Sequence, residues 1–319
     1  MTRLLILFQR KKIECVMSLA LLKKIINKIV VLTEEAVLSL YEYFFILFIF
    51  RKKCARLPSS VSGHVNVLTD DHFYKIVFKN QAFFFEEKKH FDLVFKKYSE
   101  IGKIIPDYEY LSYLNEKINV MRAQKLCLIS DRKENFEAAE KILKIFSEYG
   151  EGRNCKIAQF SSLLDGLVLI RKFYGTETHE KVLLYVEQFL AKGQFRVGPC
   201  HGDFHYKNIM KQGEDIYIID LDCFRQDGLQ PLDAIYYVNQ DAADAVKMPW
   251  HTVLIDMIKD GNMYIEHYHF LKNFLDINDL KGYALIYCLD RLAQDGKYLN
   301  IWSIFQGDKL RNNLLFLAE

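Results

Sequence analysis

His201-Gly202-Asp203-Phe204-His205-Tyr206-Lys207-Asn208 is the stretch on which the reading of this chain turns, together with Ile218-Ile219-Asp220-Leu221-Asp222 shortly after it. An acid, an amide five residues later and a second acid ending an apolar run are the groups that phosphoryl transfer from a nucleotide uses. One carboxylate takes the proton of the attacking hydroxyl, or orients that hydroxyl. The amide and the second carboxylate hold Mg²⁺, which neutralises the phosphates. Asp203 is the candidate base or orienting carboxylate. Asn208 offers a neutral oxygen to the cation, and Asp220 ends the run Ile216-Tyr217-Ile218-Ile219. An aspartate at its ordinary pKa of ~3.9 is a weak base. In a loose transition state positioning matters more than basicity. His201 reads as a buttress of the loop, because imidazole is not a favoured Mg²⁺ ligand. His205 reads as a surface group or a neighbour of the acid, with contact to the acceptor as the alternative, and Lys207 as a solvated cation, with neutralisation of the phosphates as the alternative.

The spacing from Asp203 to Asn208 is that of the protein-kinase catalytic loop H-R-D-x-x-x-x-N, with Gly202 standing where that loop has Arg. H-G-D-x-x-x-x-N followed by I-D-x-D resembles the aminoglycoside phosphotransferase and choline kinase group, the small-molecule branch of the protein-kinase-like fold. Asp227-Gly228-Leu229-Gln230-Pro231-Leu232-Asp233 resembles the G-L-P-L-x-D segment of many bacterial members. The likeness is strong over residues 198–238, weak over 56–150 and absent before. It implies an α+β, two-lobed fold with a small strand-rich N-lobe and a larger helical C-lobe. It also implies ATP and Mg²⁺ as cofactors and a small-molecule hydroxyl as acceptor. By the same resemblance Asp233 anchors the catalytic loop through backbone amides. Asp222 stands where relatives have Glu or Asp, and either touches a second Mg²⁺ or hydrogen-bonds the loop. The segment from Gly228 to Asp233 resembles relatives in polysaccharide and lipopolysaccharide assembly, which points first to a sugar-containing acceptor. An aminoglycoside comes second, and choline or ethanolamine third.

Composition bounds these readings. Of 319 residues, 50% are hydrophobic and 26% charged, the balance of a folded globular chain. A net charge of +2 gives no global reason to expect nucleic acid as a partner. Seven dispersed cysteines without a C-x-x-C pair suit reduced thiols in a cytoplasm. Oligomeric state has no signature here. The expected organisation is an N-terminal basic and apolar helical extension over 1–55, an N-lobe over 56–130 and a C-lobe over 131–319.

In the extension, Leu22, Ile25, Ile26 and Ile29 recur at helical spacing opposite Lys23, Lys24 and Lys28. The apolar run from Tyr43 to Phe50 stops at Arg51-Lys52-Lys53 and is shorter than the ~20 residues that span a bilayer. Two readings stand for residues 17–53: helices packed on the rest of the protein, or peripheral attachment to anionic lipid.

Beyond it, small residues up to Gly63 lead into a strand, and Phe73-Tyr74-Lys75-Ile76-Val77-Phe78 makes its hairpin partner. The resemblance makes Gly63 the one glycine of a phosphate-covering loop and Lys75, rather than Lys79, the phosphate-reaching lysine. A helix follows from Phe85 to Tyr98, in which Glu86 or Glu87 pairs with that lysine. Residues 124–130 read as a buried strand leading to the hinge that holds adenine through backbone groups. Helices are expected over Asn135–Tyr149, Leu163–Phe173, Glu180–Leu190, Pro231–Val246, Val253–Phe274, Leu280–Ala293 and Ile301–Leu317.

Rival chemistries fit less of the chain. Asp220-Leu221-Asp222 resembles the D-x-D of haloacid-dehalogenase phosphatases, but Phe224 replaces the expected Thr or Ser and His201–Asp203 is left unexplained. A metallophosphoesterase would use His201, Asp203, His205 and Asn208 as ligands, yet needs a D-x-H and a G-N-H motif that this chain lacks. A non-catalytic nucleotide-binding module of the same fold is the remaining alternative. The intact trio Asp203, Asn208 and Asp220 argues against it.

Overall fold

The computed structural model describes residues 55–57, 64–77, 81–113, 118–297 and 307–319. The chain divides into two units, Met1–Ala55 and Arg56–Glu319, and nearly all described residues belong to the second. Gly63 and the expected helices of residues 17–53 lie outside the described residues.

Strands β1 (Ala55–Leu57), β2 (His64–Leu68), β3 (His72–Val77), β4 (Tyr108–Tyr113) and β5 (Ile118–Gln124) form one sheet in the order β1-β2-β3-β5-β4. The expected hairpin is β2 against β3, antiparallel, with Asn66 opposite Lys75. Thr69 closes its turn: the Thr69 N–H donates to the His72 carbonyl at 2.9 Å, and Oγ1 accepts the His72 N–H at 3.1 Å. Alternation then decides the faces. Val65 and Val67 are buried, while Asn66 and Leu68 border a cleft. Helix α1 (Gln81–Lys97) crosses the sheet on the stripe Phe84, Glu87, Phe91 and Val94, spaced by three and four residues. Helix α2 (Ser99–Lys103) follows it.

The C-terminal part is mostly helical. Strand β6 (Cys127–Leu128) precedes α3 (Arg132–Ser147), whose first turn is capped by Asp131 accepting the Glu134 N–H at 2.7 Å. Then come β7 (Glu151–Asn154), α4 (Ser161–Ala191), β8 (Gln194–Cys200), β9 (Ile209–Gln212), β10 (Asp215–Ile218) and β11 (Arg225–Leu229). Among the described residues, five α-helices close the fold: α5 (Pro231–Val246), α6 (Trp250–Lys259), α7 (Ile265–Leu271), α8 (Leu280–Lys297) and α9 (Gly307–Leu317). The short strands make two three-stranded sheets, β10-β9-β6 and β11-β8-β7. A small antiparallel N-lobe and a larger helical C-lobe are therefore both present.

Two expectations need correction. The single helix over Val253–Phe274 is broken, because Asp260-Gly261-Asn262 are poor helix formers and Asp260 leaves helical geometry at φ −131°. The strand over 124–130 is interrupted after Gln124, where the Lys125 N–H turns to the Asp71 carbonyl at 3.1 Å. The two helices expected over Leu163–Phe173 and Glu180–Leu190 are present as the two arms of α4, separated at Gly175, whose φ of 85° and ψ of 174° are not helical.

Candidate active site

Strand pairing builds the site. The chain leaves β8 at Cys200 and re-enters the same sheet on β11 at Arg225, opposite Cys200. Everything between is one excursion that must return to its start. Its middle is the β9–β10 hairpin, with Ile209 opposite Ile218 and Gln212 opposite Asp215. The residues flanking that hairpin are thus neighbours. Beyond the last pair, the Ile219 N–H donates to the Asn208 carbonyl at 3.0 Å. Asn208 and Asp220 are twelve positions apart in the chain because the hairpin that joins them has that length.

Asp203 is held from three sides. In the first turn of α5, Asp233 accepts the His201 N–H at 2.7 Å and the Gly202 N–H at 2.9 Å, one on each carboxylate oxygen. This is the anchoring contact that the resemblance implied. Gly202 has φ +83°, and a Cβ there would collide with the Cys223 carbonyl oxygen. An arginine would not fit at this position, which is the physical reason for glycine. His201 is fully buried. Its Nδ1 accepts the Asp203 N–H at 3.3 Å, so Nε2 carries the proton and donates to the Ile219 carbonyl at 2.9 Å. Both ring nitrogens are committed, and the ring ties the catalytic loop to the strand that ends at Asp220. The buttress reading holds, and the dinuclear-metal reading loses its first ligand.

The Asp203 carboxylate faces Arg291 Nη1 at 3.3 Å and His205 Nε2 at 3.6 Å. Burial alone would raise its pKa, but His205 and Arg291 outweigh burial and hold it below the ordinary carboxylate value. It is ionised at neutral pH. Asn208 Nδ2 donates to the Asp203 carbonyl at 3.0 Å. That bond commits the amide nitrogen and leaves the amide oxygen as the atom for a cation.

Lys75 and Glu87 are both buried, with Lys75 Nζ 2.8 Å from Glu87 Oε2 and 3.4 Å from Asp220 Oδ1. Burial pulls the lysine pKa down, but Glu87, Asp220 and Asp222 overcome it, so Nζ stays charged. Glu86, the other sequence candidate, is exposed on the far side of α1. One helical position separates a core-facing carboxylate from a solvated one.

Asp220 takes φ +67°, outside the usual region for a side-chain-bearing residue. Asp222 is pushed up to about 8, first by burial and then by the Asp220 carboxylate. Crowded carboxylates beside an amide oxygen suit a hard divalent cation with oxygen ligands. Among the described residues there is no group of three or more His, Cys, Asp or Glu that could hold a metal ion.

A cleft of ≈ 490 Å³ lies against Lys75, Glu87 and Asp220. Leu68, Phe73, Ala123, Leu128, Met210 and Ile219 line its apolar part, and Lys75, Glu87 and Asp220 its charged end. The size and the apolar-plus-charged lining fit a nucleotide, with the base between the aliphatic walls and the phosphates at the charged end. Gln124, the last residue of β5, and Leu126 border the cleft, within the stretch that the resemblance reads as leading to the hinge.

No protein-family model matches the sequence, and no curated protein matches it either. Solved structures do match in fold. Choline kinase LicA from Streptococcus pneumoniae superposes with a TM-score of 0.55 at 15% identity, over 87% of this chain and 97% of that one. A thermostable aminoglycoside phosphotransferase APH(4)-Ia in its apo form gives 0.52 at 9% identity, over 86% and 97%. The same enzyme in a ternary complex with ADP and hygromycin B gives 0.50 at 9%, over 86% and 96%. The chain has the fold these small-molecule phosphotransferases share.

Proposed function

We propose that this chain is an ATP- and Mg²⁺-dependent phosphotransferase acting on a hydroxyl of a small molecule. The observation that carries the reading is convergence. Lys75, Glu87 and Asp220 come from three separate elements and line one cleft, and the loop that carries Asp203 and Asn208 is tied to the strand end at Asp220 by the Ile219 N–H on the Asn208 carbonyl. Lys75 holds the phosphates. Asn208 and Asp220 hold Mg²⁺, with Asp222 beside them. The bound cation supplies charge neutralisation at the phosphates. Asp203 orients the acceptor and receives its proton as the acceptor oxygen bonds to the γ-phosphorus. The bond from that phosphorus to the β–γ bridging oxygen breaks, and ADP leaves.

A sugar-containing acceptor is the favoured class, supported by the segment from Gly228 to Asp233. An aminoglycoside or an amino alcohol follows it. The site is placed on the cytoplasmic side, a reading supported by seven dispersed cysteines without a C-x-x-C pair. Residues 17–53 attach the chain peripherally to anionic lipid. Among the described residues no helix is long and apolar enough to cross a membrane. Deleting residues 1–55 should abolish co-sedimentation with anionic liposomes; unchanged binding ends that part of the reading.

A screen of labelled γ-phosphate transfer across sugars, aminoglycosides and amino alcohols tests the reaction. Asp203→Ala should abolish transfer while sparing ADP binding. Asp220→Ala should chiefly weaken Mg²⁺-nucleotide binding. Full transfer by the Asp203 variant would overturn the assignment.

A further inference from the structure

Helix α8 reaches the catalytic loop with two side chains that no sequence motif marks, Arg291 and Gln294, and steadies them with two more, Asp290 and Asp295. Asp290 is completely buried and gathers the segment that follows the cation-binding strand. It accepts from Arg225 Nη1 at 2.6 Å and Nη2 at 3.1 Å, from Ser162 at 2.5 Å and from the Tyr236 hydroxyl at 2.9 Å. One turn later, Gln294 Nε2 donates to the Gly202 carbonyl at 2.6 Å and to Asp290 at 3.2 Å. The same helix therefore grips both the loop carrying Asp203 and the chain just beyond Asp222.

Arg291 stands between these two anchors. Its Nη1 lies 3.3 Å from Asp203 Oδ1 and its Nε 3.4 Å from Asp295 Oδ1. The guanidinium sits 5.7 Å from the centroid of the Tyr236 ring. Asp295 is itself held by the Trp250 indole. Two carboxylates at ion-pair distance and an aromatic face thus surround the guanidinium before any substrate arrives, although Nε itself makes no hydrogen bond.

We propose that Arg291 is a positioning residue for Asp203: it sets the direction in which that carboxylate meets the acceptor hydroxyl, and α8 sets Arg291. This rests on the phosphotransferase reading above. Asp233 fixes only the backbone of His201 and Gly202, and His201 only the amide of Asp203. Of the contacts around the loop, those of Arg291 and His205 reach the carboxylate itself. Arg291 comes from a helix anchored elsewhere, whereas His205 moves with the loop.

The full-length chain is the test object, with Mg-ADP binding followed by calorimetry and phosphate release from labelled ATP, water serving as acceptor. Arg291→Ala should keep the Mg-ADP Kd within about two-fold and lower turnover about 100-fold, the scale of an ångström misplacement at a reacting centre. Millimolar guanidinium should restore that variant at least about ten-fold by refilling the vacated space. A merely structural role would not respond to the added ion. Arg291→Lys keeps the charge and the stem, so it folds even if the alanine variant does not. It should lose about ten-fold in turnover, because a single ammonium cannot span two carboxylates. Turnover near that of the parent in Arg291→Lys, or in a folded Arg291→Ala, overturns the inference while leaving the reaction intact. Failure of the parent chain to bind Mg-ADP sinks the phosphotransferase reading and takes this inference with it.

Discussion

Glu87 Oε2 accepts from Lys75 Nζ at 2.8 Å inside the protein, and the pair joins α1 to the sheet. A buried ion pair is weak evidence for stability in itself, but breaking one partner is costly, typically ~3–5 kcal/mol. Glu87→Gln should therefore destabilise the fold by about 3 kcal/mol and weaken Mg-ATP binding, because Lys75 then leans on Asp220 alone. Glu86→Gln should change stability by less than ~0.5 kcal/mol, as for other exposed sites. Urea unfolding and calorimetry of the two variants check this. Equal effects would mean that the phase of the helix is wrong.

Gly202 and Gly213 both hold positive φ, yet the two should respond differently to alanine. The left-handed region costs a side-chain-bearing residue ~1–2 kcal/mol at either site. At Gly213 nothing lies near a new Cβ, so the cost ends there. At Gly202 the Cys223 carbonyl blocks it, and the loop must shift away from Asp233. Gly202→Ala should lose clearly more than ~2 kcal/mol in chemical denaturation, and phosphoryl transfer with it. Gly213→Ala should stay near ~1 kcal/mol with transfer intact.

Asp222 offers a test by metal removal. Its carboxyl is buried beside that of Asp220, and without a cation it must take up a proton to stay there at neutral pH, which costs stability. Asp222→Asn should raise the melting temperature of chelator-treated protein. The same variant should gain less from added Mg-ADP than the parent does, since ligand stabilisation follows affinity. Thermal shift with and without EDTA reads both signs. A parent that is the more stable of the two in chelator would remove the crowding argument.

Much of the site could be read from the chain because its chemistry lies in short segments. Asp203, Asn208 and Asp220 belong to one excursion between paired strands, so local spacing encodes their meeting. Lys75 could be read from its strand. Its partner could not, because choosing between Glu86 and Glu87 needs the phase of α1 against the sheet, which adjacent positions do not carry. Arg291 was invisible for a different reason. It meets Asp203 across 88 positions, and its only trace is a pair of acids and a glutamine at helical spacing around it. The broken helix at Asp260-Gly261-Asn262 was legible, but apolar periodicity on both sides masked three weak helix formers.

His251 links α6 to α9 and gives the fold an acid-sensitive joint. Its Nδ1 faces Asn313 Nδ2 at 3.1 Å, and the same amide donates to the His251 carbonyl at 3.0 Å. Burial lowers its pKa to about 4, with Lys309 adding repulsion. In the unfolded chain the imidazole titrates near ~6.5. Between those values the unfolded state binds a proton that the folded state refuses. The stabilising contribution is therefore complete above ~6.5 and is lost as pH falls towards about 4. His251→Gln cannot titrate but keeps a side chain able to face Asn313. Urea midpoints should fall more steeply between pH 7 and pH 4.5 in the parent than in this variant (test conditions of about these values). Asp203 and Asp241, whose pKa values are lowered in the fold, also lose stability in acid, but equally in both proteins. The difference between the two slopes isolates His251, and parallel slopes would show that its ring is not held neutral by the fold.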